Sequence, residues 1–247
     1  MIITIDGKAC PCEPGEYLID IARRNRILIP TFCHHEGLPG QGCCRVCIVE
    51  VETRGSRNIV SSCVYPVEQE CIVFTNSDRV KKQRGVVLAL MRASAPESQR
   101  PSRLCKLYGV PEYERFIENP GEKCILCGLC VKACKSLGTG AIATMHRGVD
   151  KEVSTPYDKP SADCVGCGSC ARVCPTDAIE LSEDLHSRKI WNKEFTIQFC
   201  ERCGKPAGTP EELALAAKKA GTQLTNICGE CKRKAIADVM ANTYGYK

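Results

Sequence analysis

Residues 124–134 read CILCGLCVKAC, and residues 164–174 read CVGCGSCARVC. Both are C-x2-C-x2-C-x3-C. Both carry a glycine after the second cysteine, and each is followed by a small-apolar pair, Ala141-Ile142 and Ala178-Ile179. The chain therefore contains an internal repeat built around thiols. Thiolates are soft ligands that select iron–sulfur clusters, zinc or cuprous copper. A tetrahedral zinc ion needs no third cysteine at this spacing, whereas three closely spaced cysteines wrap an iron–sulfur cubane corner by corner. The chemistry read from the repeat is one-electron transfer. No residue of the chain is assigned as an acid, a base or a nucleophile.

The spacing is that of bacterial-type ferredoxins with two [4Fe–4S] clusters, in which the fourth cysteine of each run ligates the other cluster. Cys124, Cys127, Cys130 and Cys174 are accordingly assigned to one cluster, and Cys164, Cys167, Cys170 and Cys134 to the other. The fourth cysteine is expected to start a helix leading to the neighbouring cluster. Crossed ligation would pin the two halves together and keep the clusters within tunnelling reach. The copies differ in detail: Pro175 follows the second run and Lys135 the first, and the first has three extra residues before Ala141. That stretch, GTGAIA at 138–143, formally fits a dinucleotide-binding glycine pattern, but a cluster ligand rather than a strand precedes it. It is read as a glycine turn after a ligand helix.

A second set of thiols lies nearer the N-terminus. Residues 33–47 read CHHEGLPGQGCCRVC, and Cys63 follows. Cys43 and Cys44 are adjacent, and neighbouring side chains point in different directions, so one of the two is expected to serve the centre. Around them, IITIDGK reads as a hairpin turning at Asp6-Gly7. Residues 16–25 carry Leu18, Ile19, Ile21 and Ala22 at helical spacing, and CIVEVE, IVSSC and CIVFT read as strands. That is the element order of a [2Fe–2S] ferredoxin, a β-grasp domain whose loops bend around a cluster. Gly37, Gly40 and Gly42 are expected to let backbone N–H groups approach the sulfurs. Plant-type ferredoxins open with C-x4-C-x2-C; the longer first gap here belongs to a different branch.

PTFC, GCCRVCIVEVE, SSC and YPVEQECIVFTNS resemble the iron–sulfur electron-entry module of the large iron–sulfur subunit of respiratory complex I, found also in NAD(P)-linked hydrogenases and formate dehydrogenases. CILCGLCVKAC with GAIATMHRG, and CVGCGSCARVCPTDAI, resemble the double-cubane segment of the same subunits. The resemblance spans residues 1–182. Its pattern is G-x-C-R-x-C, which implies Cys33, Cys44, Cys47 and Cys63 as the [2Fe–2S] ligands and leaves Cys43 on the variable position. It further implies a flavin- and NAD(P)H-binding partner subunit and a catalytic partner subunit, a hydrogenase in the first reading and a formate dehydrogenase in the alternative. Some members pass electrons to soluble ferredoxin by flavin-based bifurcation, on which the sequence is silent. There are also departures. Members often carry a further [4Fe–4S] site with one histidine and three cysteine ligands; residues 85–120 contain no histidine and only Cys105, so that cluster is expected to be absent. Nothing in the chain matches a hydrogenase-cluster or molybdenum-cofactor domain, so substrate chemistry is expected in other subunits.

Cys200, Cys203, Cys228 and Cys231 form C-x2-C-x24-C-x2-C, with Gly204 and Gly229 beside the two knuckles. Such pairs suit one tetrahedral structural zinc, although the central gap exceeds the usual one; a third [4Fe–4S] cluster is the alternative. Between them PEELALAAKKAG reads as a helix with a glycine stop. The tail resembles the C-terminal ribbon of iron–sulfur subunits in formate hydrogenlyase-type complexes. Cys10, Cys12, Cys43, Cys71 and Cys105 are left as structural thiols, buried or half-buried. His34 and His35 are read as packing or surface histidines, and Trp191 as packing at the hinge into the tail.

These centres call for an α+β chain of four segments. Residues 1–78 form the [2Fe–2S] ferredoxin-like domain. Residues 79–120 form a helical connector that opens with VKKQRGVVLALM and continues through SAPESQRPS. Residues 121–190 form the two-[4Fe–4S] ferredoxin domain, and residues 191–247 a zinc-ribbon-like tail with a terminal helix through Ala235 and Val239. With 21 Cys and only 5% aromatic residues, cross-linking is expected from ligands rather than from bulk. The N-terminus has no signal-peptide run, Arg23-Arg24 has no apolar region behind it, and the longest apolar run, Val86 to Met91, is too short to cross a bilayer. A cytoplasmic protein without a membrane span is expected, where clustered cysteines bind metal rather than pair. The formal charge of +5 omits the metal centres. Three clusters and one tetrathiolate zinc would add about −8 and leave about −3, so nucleic acid is not expected as a partner. Two other readings are a free-standing ferredoxin-type carrier, which does not need the tail, and a redox-responsive regulator using the tail on DNA.

Overall fold

The computed structural model describes residues 1–245, in two compact units: Met1–Leu129 with Val173–Ala178, and Cys130–Arg172 with the described part of Ile179–Lys247. In the first unit, β1 (Ile2–Ile5) and β2 (Lys8–Pro11) form a hairpin. Its turn residues Asp6 and Gly7 have φ of 47° and 83°, the double left-handed conformation that tight hairpins need. The Asp6 carboxylate accepts a hydrogen bond from the Thr75 amide at 2.8 Å, fixing the turn to the end of the strand that neighbours β1. A two-residue strand, β3 (Glu16–Tyr17), leads into α1 (Leu18–Arg24). β4 (Ile48–Thr53) and β5 (Ser56–Ser61) make a second hairpin, β6 (Pro66–Val67) pairs with β3, and β7 (Ile72–Phe74) completes the sheet. The strand order is β2-β1-β7-β4-β5, with β1 and β7 parallel and the other neighbours antiparallel.

Alternation decides which face is covered. Ile3 and Ile5 of β1 point inward while Ile2 is exposed, and Val49, Val51 and Val73 join them. α1 lies on this face with Leu18, Ile19, Ile21 and Ala22 all inaccessible. Each fully buried aliphatic side chain contributes about 1.5–3 kcal/mol, so this apolar face supplies the unit with a core before any metal binds. Cys10, Cys12 and Cys71 are part of the same core, where burial raises the thiols of Cys12 and Cys71.

α2 (Asp78–Ser94) begins at Ser77, whose Oγ accepts from the Val80 amide at 3.3 Å. The SAPESQRPS stretch of the connector contains the start of α3 (Gln99–Leu107). Pro101 lies in its first turn, where its missing N–H has no intrahelical partner to lose.

In the second unit, α4 (Leu129–Ser136) is followed by the hairpin β8 (Ala143–Met145) and β9 (Glu152–Ser154), by the single turn α5 (Ser169–Arg172), and by an antiparallel meander of β10 (Leu181–Glu183), β11 (Ser187–Ile190) and β12 (Lys193–Thr196). β13 (Gln198–Phe199) pairs with β14 (Pro206–Gly208). α6 (Pro210–Ala220) carries the expected punctuation: Thr209 caps it, Pro210 opens it and Gly221, at φ 62°, ends it. α7 (Gly229–Tyr244) buries none of its described side chains. No helix among the described residues is long and apolar enough to cross a membrane.

One expectation is corrected here. The fourth cysteine of each run does not start a helix. α4 contains Cys134 in its last turn, and α5 ends before Cys174. The three-cysteine loops need left-handed residues, Leu126 and Gly128 in one and Gly166 and Gly168 in the other. A helix is excluded until the loop is complete, so it fills the gap between the third and fourth cysteines.

Two contacts hold these frames together. Arg84 of α2, 1% exposed, donates from Nε to Val46 O at 3.0 Å and from Nη2 to Ile48 O at 2.5 Å and Thr75 O at 3.1 Å, and Nη1 reaches Asn76 Oδ1 at 3.2 Å. Its guanidinium also sits 5.4 Å over the Tyr108 ring. In the second unit, Gly166 at φ 67° lies so close to Phe195 of β12 that a Cβ would come within 2.7 Å of the ring. Arg84→Met should destabilise the first unit by at least about 2 kcal/mol, because buried carbonyls lose a charged donor; denaturant unfolding measures this. Gly166→Ala should lower both the thermal midpoint and the iron retained per chain, since left-handed backbone and ring contact are both violated.

Candidate metal centres

Cys33, Cys44, Cys47 and Cys63 are all buried. Cys33 sits on the long loop after α1. Cys44 and Cys47 lie in the turn entering β4, with Arg45 at φ 57° between them, and Cys63 lies in a short 3-10 turn after β5. Cys47 Sγ and Cys63 Sγ are 3.4 Å apart, and the Cys44 amide donates to Cys33 Sγ at 3.4 Å. Ser62 ties the last two ligand turns together, its hydroxyl donating to Cys47 O at 2.8 Å. Thiol hydrogen bonds from Cys43, Cys44 and Cys63, in that order, hold Cys33 far below the ordinary thiol range and push those three partners up. The Cys63 thiol likewise lowers Cys47 to about 6. Thiols this close shift one another's acidity through hydrogen bonds, and four of them so placed suit a metal centre held by thiolates.

The glycines of this loop act differently from the expectation. A Cβ at Gly40 would lie 2.5 Å from Cys63 O, and one at Gly42, at φ 63°, 2.9 Å from the Val64 side chain. They let the loop press on the Cys63 turn. Gly37 is exposed and donates its N–H to His35 Nδ1 at 3.1 Å, a local turn and not a sulfur contact. His35 is exposed, while His34 Nδ1 is buried without a hydrogen-bond partner, and burial lowers its pKa. Cys43, read as a buried or half-buried structural thiol, is exposed, and its Sγ contacts Cys127 O at 3.5 Å.

Cys124, Cys127 and Cys174 also belong to the first unit. Burial raises Cys124 and pushes Cys127 up to about 11, and the charge of Cys174 adds to both, so the fourth cysteine of the second run lies beside the first two of the first run. Amide donors aim at these sulfurs: Leu126 N–H at Cys124 Sγ and Ala178 N–H at Cys174 Sγ, both at 3.3 Å. The charge of Cys33 also raises Cys127. Phe32, Cys33, Cys44, Cys127 and Leu129 share one apolar cluster with Leu88 and Cys105.

In the second unit, Cys134, Cys164, Cys167 and Cys170 line one cavity with about 340 Å³ of empty space, together with Thr139, Ile142, Ile190 and Trp191. Trp191 is thus placed on this cavity; its Nε1–H donates to Cys170 Sγ at 3.4 Å. The Thr139 hydroxyl meets Cys134 Sγ at 3.0 Å. Burial pushes Cys170 up to about 11. The loop carrying Cys164 and Cys167 is anchored through its carbonyls. Lys193 donates to Cys164 O at 2.8 Å, Thr209 to Val165 O at 2.5 Å, and Arg188, itself held by Glu183 and Glu212, to Gly166 O at 2.6 Å. Cys130 is the first residue of this unit and is buried with Ile142, Cys170, Ile190 and Phe195.

The tail sulfurs of Cys200, Cys203, Cys228 and Cys231 lie within 4.8 Å of one another. Cys203 Sγ and Cys228 Sγ are 3.7 Å apart. The Cys228 amide donates to Cys200 Sγ at 3.3 Å and, as the largest influence, lowers that thiol to about 6, while Cys231 is pushed up to about 12 by the Cys203 thiol. Cys228 caps α7 and Cys231 lies in its first turn, so the helix start places one pair of sulfurs; the turn after β13 places the other.

Residues 1–78 match the family described as 2Fe-2S iron-sulfur cluster binding domain, and residues 123–178 the family described as 4Fe-4S dicluster domain. Similar proteins include one of the subunits of the NADH-quinone oxidoreductase of Rhizobium meliloti, 28% identical over 246 residues, covering 88% of this chain and 28% of that protein. The NADP-reducing hydrogenase subunit HndD of Solidesulfovibrio fructosivorans is 34% identical over 187 residues, covering 64% of this chain and 32% of the relative. The NADH-ubiquinone oxidoreductase 75 kDa subunit of Reclinomonas americana is 32% identical over 182 residues, covering 64% and 26%. The chain spans roughly a quarter to a third of the length of these curated relatives. Among solved structures, the crystal structure of an NAD+-reducing [NiFe]-hydrogenase in the H2-reduced state shares the fold, with a TM-score of 0.62, 24% identity, and coverage of 72% of this chain and 85% of that one. The chain is an iron–sulfur protein, with a 2Fe-2S domain followed by a 4Fe-4S dicluster domain, related to subunits of NADH-quinone oxidoreductases and of NADP-reducing hydrogenase.

Proposed function

We propose that this chain is the electron-transfer subunit of a multi-subunit NAD(P)-linked oxidoreductase, relaying single electrons between a flavin- and NAD(P)H-binding subunit and a catalytic subunit, a hydrogenase before a formate dehydrogenase. The observation that carries the reading is the juxtaposition inside one unit of the Cys33 set and the Cys124, Cys127 and Cys174 set, with Cys33, Cys44 and Cys127 in one buried apolar cluster. Related subunits named for NADH oxidation and for NADP reduction by hydrogenase supply the class of reaction.

In this reading Cys33, Cys44, Cys47 and Cys63 hold a [2Fe–2S] cluster, the 3.4 Å Cys47–Cys63 contact and the Cys33–Cys44 contact giving two thiolates per iron. Cys124, Cys127 and Cys174, with Cys130 added by the sequence spacing, hold one [4Fe–4S] cluster. Cys164, Cys167, Cys170 and Cys134, lining one cavity, hold the other. When bound, such clusters supply reversible one-electron storage at potentials set by hydrogen bonding and exposure. The chain's own part is to shape that environment. The Trp191 indole and the Thr139 hydroxyl are placed to favour the charge added on reduction, Lys193 and Arg188 fix the Cys164–Cys167 loop, and Ile142 and Ile190 keep water out.

The tail is read as a structural zinc site. Four sulfurs on a tetrahedral zinc with bonds of about 2.3 Å stand about 3.8 Å apart, and the 3.7 Å Cys203–Cys228 contact and the 4.8 Å bound on the whole set support that ion. A cubane holds its four thiolates at separate corners, further apart.

The anaerobically purified chain should carry about ten iron atoms and about one zinc. Native extract should yield it together with a flavoprotein and a second metalloprotein. About fourteen iron without zinc would overturn the zinc assignment. A chain running as a monomer, copurifying with no flavoprotein, would overturn the relay in a complex.

A further inference from the structure

We propose that Gln41 and Cys43 form the electron bridge between the [2Fe–2S] centre and the first [4Fe–4S] centre, with the Cys43 sulfur as its link. This rests on the cluster assignment made under Proposed function and adds a route to it. Cys43 lies on the variable position beside ligand Cys44, and it is exposed rather than packed into a core. One peptide bond joins it to ligand Cys44. The Cys43 Sγ lies 3.5 Å from the carbonyl oxygen of Cys127, and Gln41 Nε2 donates to that same oxygen at 3.1 Å. Two side chains of one ligand loop therefore converge on the backbone of a ligand of the next centre.

The approach is built in from both sides. A Cβ on Gly128, which follows Cys127 at φ 71°, would stand 3.3 Å from the Gln41 amide group. Gly42, between the two bridge residues, is left-handed at φ 63° and lies against Val64. Glycine at both places lets the loops meet, and all the contacts lie within the first unit.

The route runs from ligand Cys44 through the backbone to the Cys43 sulfur, across to Cys127 O, and through the short covalent path of Cys127 to its own sulfur. One electron leaves the reduced [2Fe–2S] centre, which returns to its oxidised form, and reduces the [4Fe–4S] centre by one electron. No bond is made or broken and no proton moves. Electronic coupling decays less along bonded and hydrogen-bonded contacts than across an empty gap, so removing the sulfur slows the transfer without touching any ligand.

The test uses the full chain in its native complex, with Cys43→Ala, Cys43→Ser and Gln41→Leu. Iron content and the paramagnetic signals of both reduced centres are recorded first, then the intercentre transfer rate after flash reduction and the [2Fe–2S] midpoint potential. Cys43→Ala should keep its iron, both signals and the [2Fe–2S] midpoint, and slow the transfer several-fold, because the sulfur link to Cys127 O is lost. Cys43→Ser should keep the midpoint and recover only part of the rate, and Gln41→Leu should slow the transfer less than Cys43→Ala. An unchanged rate in Cys43→Ala with both centres intact overturns the bridge. Loss of the [2Fe–2S] signal in Cys43→Ala also overturns it, because Cys43 would then be a ligand. If the unsubstituted chain lacks either centre, the cluster assignment itself has failed, before any variant is compared.

Discussion

Several thiols crowded into one place repel one another as soon as more than one of them loses its proton. Around Cys33 the sulfurs are so near that hydrogen bonds from its neighbours hold that thiol low and push theirs up. The same division recurs in the tail, where Cys200 is lowered and Cys231 raised. Such arrangements are stable as thiolates only with a cation among them, and ligands must shed protons for it to bind. The backbone of this chain is organised around that constraint. Left-handed residues bring sulfurs together, amide N–H groups point at them, and carbonyls of the ligand loops are tied outward to Arg84, Lys193, Thr209 and Arg188.

The two units meet the constraint by different means. In the first, a five-stranded sheet with α1 across it builds a core of mostly aliphatic side chains, in which ligands Cys47 and Cys63 are a small part. In the second, strands are short, and the largest apolar cluster includes Cys130 and Cys170 themselves. There the ligands are part of the packing, so occupation of the centre and integrity of the unit are coupled.

Much of this was legible in the residues. The repeat announced a dicluster domain through spacing alone, Asp6-Gly7 announced its hairpin, and Thr209, Pro210 and Gly221 announced both ends of α6. What stayed hidden depended on partners distant in sequence. α3 gave little sign of its own bounds, because Pro101 and its serines speak against a helix unless they fall in the first turn. Trp191 gave no sign of lying on the cavity of Cys170, since that contact spans twenty-one positions and a left-handed turn. Arg84 looked like one more charge on an amphipathic helix; only the folded chain shows three carbonyls and an amide waiting for it. Cys43 looked like a leftover because sequence spacing finds ligands and cannot find what stands between them.

The position of Arg84 bears on how such a domain can be moved from one protein to another. Residues 1–78 are recognisable as a cluster-binding family, yet the guanidinium that occupies Val46 O, Ile48 O and Thr75 O enters from beyond that boundary. Excised or grafted at residue 78, the fold would lose the buried donor that these three carbonyls share. Gene fusions that transplant this domain intact must therefore carry α2 as well, so the portable piece is longer than the piece that binds the cluster.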